Sequence, residues 1–157
     1  MEFLLNNVEE TMALGEKIGS LVRAGDIICI DGELGSGKTH LTKGLAMGLS
    51  INEYITSPTF TIVNEYDGRL KLYHFDVYRV NDPDEIENIG FDEYIFGQGV
   101  SIIEWSNLIE DLIPYEHIQI NIYKAPEKGD NYRKINIEYF GDRYQYLKEI
   151  NYENFEY

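Results

Sequence analysis

The chain of 157 residues is long enough for one domain with a single core. Its 13 Lys and Arg against 28 Asp and Glu give a formal net charge of −15, which argues against unaided nucleic-acid binding because phosphodiesters need a cationic surface. Solubility is the simpler explanation of that charge, and attraction of a basic partner protein is the other. No apolar stretch is of membrane length, and the lone Cys29 excludes an internal disulfide, so a cytoplasmic location is expected.

The first predicted elements are a helix, a strand and a second helix. Residues 8–22 repeat apolar side chains on one helical face after Asn7, which is a suitable N-cap. The run 27–30 is apolar and rich in Ile, which favours a buried strand, and the run 40–49 favours a helix. The glycine-rich segment between that strand and that helix is the most informative part of the chain.

Residues 32–39 read Gly-Glu-Leu-Gly-Ser-Gly-Lys-Thr, a complete phosphate-binding motif G-x-x-x-x-G-K-[ST] in the strand–loop–helix context that its mechanism needs. Glycines let consecutive backbone N–H groups turn around phosphate oxygens, and the following helix adds its positive end. Lys38 would neutralise the β- and γ-phosphates, and the Thr39 hydroxyl would enter a Mg²⁺ shell. The predicted phosphate-side residues are Gly35, Ser36, Gly37, Lys38, Thr39 and His40.

The rest of the chain predicts a mixed α/β fold. Beyond a loop at 50–57, β-rich runs at 60–65 and 70–77 flank Asp67-Gly68, which is a strong hairpin signal. The later predicted elements are an acidic helix at 85–89, a buried strand at 100–104, a helix at 107–113, strands at 118–123 and 134–139, and a last helix at 142–150. This order indicates a single P-loop NTPase domain over 1–157, with a central parallel sheet, flanking antiparallel strands, helices on both faces and an acidic, Tyr-rich tail from about 151.

Two acidic residues at the ends of predicted strands are candidates for the metal side of the site. Glu104 ends the buried run 100–103, and Asp76 ends an alternating strand. Because strand carboxyl ends converge beside the loop in open α/β sheets, either could hold Mg²⁺ or its waters near Thr39. The other interpretation is an ordinary hydrogen-bonded carboxylate at a strand end. His74 is interpreted as a strand side chain, since no second His or Cys stands at ligand spacing.

Three further positions keep two interpretations each. The segment Ser57-Pro58-Thr59-Phe60 occupies the place of a nucleotide-sensing switch, where a hydroxyl can join the metal shell, or it is a simple Ser-Pro turn. Trp105 stacks or fills the core, and Arg79 clamps a phosphate or pairs with the acidic segment 82–87. The run 127–130 resembles a guanine-recognition element only weakly, so ATP is favoured over GTP.

These blocks, in this order, resemble the bacterial TsaE (YjeE) family, the small ATPase of tRNA threonylcarbamoyladenosine synthesis. The likeness spans about 9–138 and rests on 32–39, 57–60, 73–79 and 103–105. The resemblance implies Lys38 on phosphate, and Thr39 and Glu104 on Mg²⁺. It also implies Asp76 as the catalytic or water-ordering acid, Thr59 as a switch residue, and Thr11 and Arg133 on the base side. The resemblance also implies work with the TsaD and TsaB proteins, which carry the transfer chemistry and the tRNA contact.

Two rival functions stay open at the level of the sequence. A small-molecule P-loop kinase would share the loop, but such kinases close an Arg-bearing lid over the phosphates, and the five arginines here form no cluster. A nucleotide-dependent interaction module would change shape without turnover. ATP hydrolysis stimulated by partner proteins would separate the TsaE-like function from both rivals.

Overall fold

One seven-stranded sheet organises residues 1–58 and 61–150, which are the residues that this computed structural model describes. The strands are β1 (Glu2–Leu5), β2 (Ile27–Gly32), β3 (Val63–Tyr66), β4 (Leu72–Asp76), β5 (Val100–Glu104), β6 (His117–Lys124) and β7 (Arg133–Phe140). Their order across the sheet is β1-β7-β6-β2-β5-β4-β3. Strands β6, β2, β5 and β4 run parallel, and the pairs β1–β7, β7–β6 and β3–β4 are antiparallel. The predicted central parallel sheet with antiparallel flanks is confirmed.

The helices are more varied than the sequence predicted, because several of them are 3₁₀ segments. The α-helices are α1 (Val8–Leu21), α2 (Lys38–Gly48), α3 (Pro83–Asn88) and α4 (Phe91–Ile95), and 3₁₀ segments cover Ser106–Leu112, Pro126–Lys128 and Asp142–Glu149. The first begins as predicted, with the Asn7 side chain accepting a hydrogen bond from Glu10 N at 2.8 Å. No helix among the described residues is both long and apolar enough to cross a bilayer.

Alternation along β2 sorts the core into two layers. Ile28 and Ile30 pack with α1 and α2 on one face, while Ile27 and Cys29 pack with α3 and α4 on the other. Each fully buried Ile stabilises the fold by about 1.5–3 kcal/mol, so both faces of this strand contribute to folding. The prediction of helices on both faces is therefore confirmed.

Close backbone packing fixes the helix that follows the phosphate-binding motif. A Cβ on Gly19 of α1 would lie 2.2 Å from Leu45 O, and a Cβ on Gly44 of α2 would lie 2.2 Å from Met12 O. Such distances are far inside van der Waals contact, so α1 and α2 approach at glycine-only positions. This contact holds α2, and with it the end of the motif, against the sheet.

Four elements of the structure differ from the prediction. Strand β1 was not predicted, because its four residues lie directly before two asparagines and carry too short a pattern. The predicted helices at 107–113 and 142–150 are 3₁₀ segments, and the first is interrupted at Ile109, where φ is −132°. Helix α4 was also missed. The switch residues Thr59 and Phe60 and the tail 151–157 lie outside the described residues.

Candidate nucleotide site

A cavity of about 430 Å³ opens where the carboxyl ends of β2, β4 and β5 meet the N-terminus of α2. The sheet register explains the meeting point, because Glu104 is paired with both Ile30 and Asp76. Most of the predicted site residues share this cavity, and they are Gly35, Gly37, Lys38, Thr39, His40, Asp76, Glu104 and Arg133. The sequence-based expectation that strand ends would converge beside the loop is met.

The loop adopts the backbone conformation that its glycines predict. Gly35 has φ +76° and Gly37 has φ +107°, which are left-handed values that side chains with a Cβ rarely adopt. Gly37 is the N-cap of α2, and no side chain caps that helix end. The first-turn N–H groups are therefore available to an anion, and the helix adds its positive end to them.

Lys38 lies within its own loop. Its Nζ donates to Gly32 O at 2.7 Å and to Glu33 O at 2.9 Å, and it stands 4.1 Å from the centroid of the Trp105 ring. Burial lowers the pKa of Lys38, and the carboxylates of Glu104 and Asp76 act in the opposite direction. The cavity thus contains a partly desolvated ammonium whose hydrogen bonds go to neutral carbonyls, which are weaker partners than phosphate.

Glu104 is held in the sheet by a buried histidine. Its side chain is only 2% exposed, and His74 Nε2 hydrogen-bonds to its Oε2. His74 Nδ1 has no hydrogen-bond partner among the described residues, so the ring is held through Nε2. The histidine thereby orients Glu104 and leaves the second carboxylate oxygen, Oε1, for the cavity. The interpretation of His74 as a strand side chain is confirmed, and its contact with Glu104 was not anticipated.

Asp76 is more open than Glu104. Its Oδ2 accepts from Ser57 Oγ at 3.0 Å, and its Oδ1 accepts from Tyr78 N at 3.0 Å. Ser57 belongs to the predicted switch segment, so the described part of that segment contacts the acid that the sequence singled out. The role assigned to Thr59 stays a prediction, because that residue lies outside the described ranges.

The oxygen atoms around the cavity suit a hard cation. The Thr39 hydroxyl and the carboxylates of Glu104 and Asp76 are ligand types that Mg²⁺ prefers. Within residues 1–58 and 61–150, no three His, Cys, Asp or Glu side chains form a ready-made metal cage.

The two residues predicted on the base side lie in different environments. The Arg133 guanidinium reaches the loop carbonyls, with Nε donating to Ser36 O at 2.6 Å. Thr11 is 2% exposed, and its hydroxyl donates to Asn7 O at 3.4 Å within α1. Val8, one turn earlier in α1, lines the cavity instead. The structure brings Arg133 to the site, and Thr11 is buried and does not line the cavity.

Two residues that the sequence left undecided or overlooked are close to the loop. Trp105 has φ +63°, packs against Tyr78 at 4.6 Å between ring centroids and lines the cavity. It stacks over Lys38 and, partly buried, also packs against the core layer of α3 and α4, so both of its interpretations hold. Lys124 ends β6, and its Nζ would lie 3.4 Å from a Cβ on Gly35. The sequence could have indicated Lys124, because this residue directly follows a predicted strand with an alternating pattern.

Arg79 is exposed and forms no ion pair with a described residue, so its pairing with 82–87 is not observed.

A larger cavity, of about 800 Å³, lies on the opposite side of the loop. Its central carboxylate, Asp31, already accepts from Ser106 Oγ at 2.6 Å, Asn107 N at 3.1 Å and Gln119 Nε2 at 2.7 Å. Lys38 and Thr39 do not line it. The smaller cavity is therefore the one that combines the loop, the helix end and the acids.

Comparison with known proteins gives a consistent result. The family model described as "Threonylcarbamoyl adenosine biosynthesis protein TsaE" matches residues 5–135. The tRNA threonylcarbamoyladenosine biosynthesis protein TsaE of Bacillus subtilis (strain 168) is 48% identical over 144 residues, which are 91% of this chain and 88% of that protein. Its counterpart in Treponema pallidum (strain Nichols) is 39% identical over 78% of this chain and 90% of that protein. The crystal structure of Bacillus subtilis YdiB superposes with a TM-score of 0.78 at 43% identity and covers 95% of this chain and 91% of that one.

Proposed function

The chain belongs to the TsaE family of threonylcarbamoyladenosine biosynthesis proteins, and from that premise we propose that it is a Mg²⁺-dependent ATPase acting in tRNA modification. One observation carries the proposal. A phosphate-binding loop, its lysine and two strand-end carboxylates face a single cavity at the N-terminus of α2. That combination provides a cation and N–H donors for a triphosphate and oxygen ligands for its metal.

The hydrogen bonds that Lys38 makes in the ligand-free protein explain how it can bind phosphate. Its two carbonyl acceptors, on Gly32 and Glu33, belong to the same loop, so an arriving phosphate competes only with neutral groups. A phosphate oxygen carries negative charge and a carbonyl does not, so the ammonium gains Coulomb attraction from the exchange. The uncapped end of α2 contributes its N–H groups from the other side.

Thr39 and Glu104 would hold the metal. When bound there, Mg²⁺ supplies neutralisation of charge on the β- and γ-phosphate oxygens. The chain's own contribution is to keep Glu104 oriented, and the His74 hydrogen bond does this from inside the sheet. Asp76, which is more exposed and contacts the switch segment through Ser57, is placed to orient a water molecule as an acceptor.

Hydrolysis should be slow until a partner protein completes the site. Of the arginines in the described ranges, Arg133 is the one that lines the cavity, and its guanidinium already donates to backbone carbonyls. No guanidinium is thus left to stabilise charge on the transferring phosphoryl group. We propose that TsaD and TsaB supply the missing contact, and that tRNA reaches this acidic chain only through them.

The test is steady-state phosphate release from the purified protein in four mixtures: alone, with tRNA, with TsaD and TsaB, and with all of them. The proposal expects a low rate alone, no response to tRNA, and a marked increase with the two proteins. Lys38→Ala should abolish the stimulated rate. Lys43→Ala is the matched control, because Lys43 lies on the same helix and contacts Tyr54 away from the cavity.

Two results would contradict the proposal. Stimulation by tRNA without the partners would reject the indirect role of RNA. ATP consumption that rises only with a small metabolite, and never with the two proteins, would favour a kinase instead.

A further inference from the structure

Arg133, the first residue of β7, makes an unusual set of contacts. Its Nε donates to Ser36 O at 2.6 Å, and Nη2 reaches Gly35 O at 3.3 Å. Its Nη1 donates to the carbonyls of Asp130 at 2.7 Å and Tyr132 at 2.8 Å. Among the described residues it forms no ion pair with a carboxylate. The side chain therefore ties β7 to the phosphate loop through backbone atoms.

The contact with Ser36 O determines how the next peptide group is oriented. In a trans peptide the C=O and N–H bonds point in opposite directions, so a carbonyl held by Arg133 directs the Gly37 N–H away from the guanidinium. The Ser36 N–H donates to Glu33 O at 3.1 Å, whereas the Gly37 N–H has no acceptor among the described residues. The Ser36–Gly37 peptide is thus fixed from one side, with its donor left for a ligand.

Charge strengthens the same arrangement. Arg133 is paired in register with Lys124, whose ammonium also lies beside Gly35. Two cations thus stand next to the loop in a chain of net charge −15, and the one at Arg133 is not neutralised by an ion pair. A fixed positive charge close to a phosphate site favours phosphate over neutral groups of any shape.

We propose that Arg133 is a positioning residue for phosphate recognition: it orients the Ser36–Gly37 peptide of the loop, and it does not read the base. The inference rests on the proposed function, since it assumes a bound nucleotide. It differs from the base-side role that the family resemblance implies, because Nε and Nη2 of the guanidinium contact the loop carbonyls of Ser36 and Gly35.

A ligand without a base separates the two roles. Isothermal titration would compare ATP and inorganic tripolyphosphate, each with Mg²⁺, on the wild type and on Arg133→Ala and Arg133→Lys. A positioning role predicts that Arg133→Ala weakens both ligands by the same factor, on the order of tenfold, with partial recovery in Arg133→Lys. Unchanged tripolyphosphate affinity with weakened ATP affinity would overturn the inference in favour of a base contact.

Arg69 provides the matched control. Its Nη2 also donates to two backbone carbonyls, those of Gly19 and Val22, both at 2.9 Å, but at the far end of α1. Arg69→Ala should leave the affinity for tripolyphosphate unchanged. Equal losses in the Arg69 and Arg133 variants would show that a general loss of stability, not loop orientation, is responsible, and would overturn the inference.

A second measurement needs no ligand. In ¹⁵N–¹H spectra of the ligand-free protein, Arg133→Lys should shift the Gly37 amide resonance, and Arg69→Lys should not. An unmoved Gly37 resonance would contradict the inference even if Arg133→Ala fails to fold. Failure of the proposed function has a different signature, namely wild-type protein that binds neither ATP nor tripolyphosphate while the Gly37 shift is still observed.

Discussion

The two ends of β2 both carry buried charge, but the partners of that charge differ. At the amino end, Asp26 is 1% exposed and accepts from Arg23 N at 2.8 Å, Arg143 Nε at 3.1 Å and Tyr146 OH at 2.5 Å. At the carboxyl end, Lys38 is bound to neutral oxygen atoms of its own loop, two carbonyls and the Ser36 hydroxyl, and faces a cavity. The amino end is a closed network, and the carboxyl end has groups available for a ligand.

This difference separates the buried polar groups that stabilise the fold from those that are available to bind a ligand. A buried carboxylate with strong partners stabilises one conformation, and removing it leaves those partners unpaired. A charge whose present partners are weak can exchange them for a ligand at small cost to the rest of the molecule. Substitutions at the amino end should therefore change stability alone, and substitutions at the carboxyl end should change binding alone.

The largest expected effect on stability is at Asp26. Asp26→Ala leaves Arg143 and Tyr146 without their acceptor, and the free energy of unfolding should fall by about 3 kcal/mol. Urea unfolding followed by circular dichroism measures the loss, and Asp111→Ala is the control at an exposed acid. ATP affinity, measured where the variant is still folded, should equal that of the wild type; a joint loss of both would break the comparison.

Substitutions of the two acids at the carboxyl end should have different effects on ATP binding and hydrolysis. Glu104→Gln should weaken Mg²⁺-dependent ATP affinity on the order of tenfold, because it removes a charged metal ligand, and Asp76→Asn should bind MgATP and lose hydrolysis. Titration with and without Mg²⁺, together with phosphate release, distinguishes the variants. If both bind MgATP identically and hydrolyse it at one rate, this division of roles is wrong.

The sequence predicted the residues at the carboxyl end of β2 well, but it predicted almost none of the contacts at the amino end. The loop, Glu104 and Asp76 were found because local motifs and strand ends carry them, and a parallel sheet brings such ends to one edge. The network of Asp26 joins residues 117 and 120 positions apart, and no local pattern encodes that contact. The hydrogen bond from His74 to Glu104 was missed for a related reason, since it depends on the pairing of β4 with β5.

Tyr146 should show a smaller effect with a defined pH dependence. Burial and the neighbouring Asp26 raise the pKa of Tyr146 above its ordinary value of 10.0. A group with a raised pKa in the folded state stabilises the fold below its unfolded pKa and loses that contribution as pH rises. Tyr146→Phe should cost about 1 kcal/mol at pH 7 and should make stability less sensitive to pH between about 9 and 11.

The control for that pH dependence is Tyr115→Phe, because the Tyr115 side chain is 78% exposed. This variant should follow the wild-type curve throughout. A wild-type stability that does not fall above pH 10 would contradict the assigned role of the Tyr146 hydroxyl.

The smallest expected effect concerns Cys29 in the middle of β2, which should not react with a thiol reagent while the protein is folded. Burial raises the pKa of this thiol to about 12, so it carries almost no thiolate at pH 8. A thiol reagent should label the native protein only at the rate of unfolding, and Asp26→Ala should increase that rate while Lys38→Ala should not. Rapid labelling of the folded wild type would show that the core at β2 is open.

The central claim is that the cavity at the carboxyl end binds ATP through Lys38. The most direct measurement is isothermal titration of MgATP into the wild type, Lys38→Ala and the control Lys43→Ala, with urea unfolding of the same samples. The account predicts that Lys38→Ala binds roughly 100-fold more weakly or not at all, that Lys43→Ala binds like the wild type, and that neither loses stability. Wild-type affinity in Lys38→Ala would contradict it.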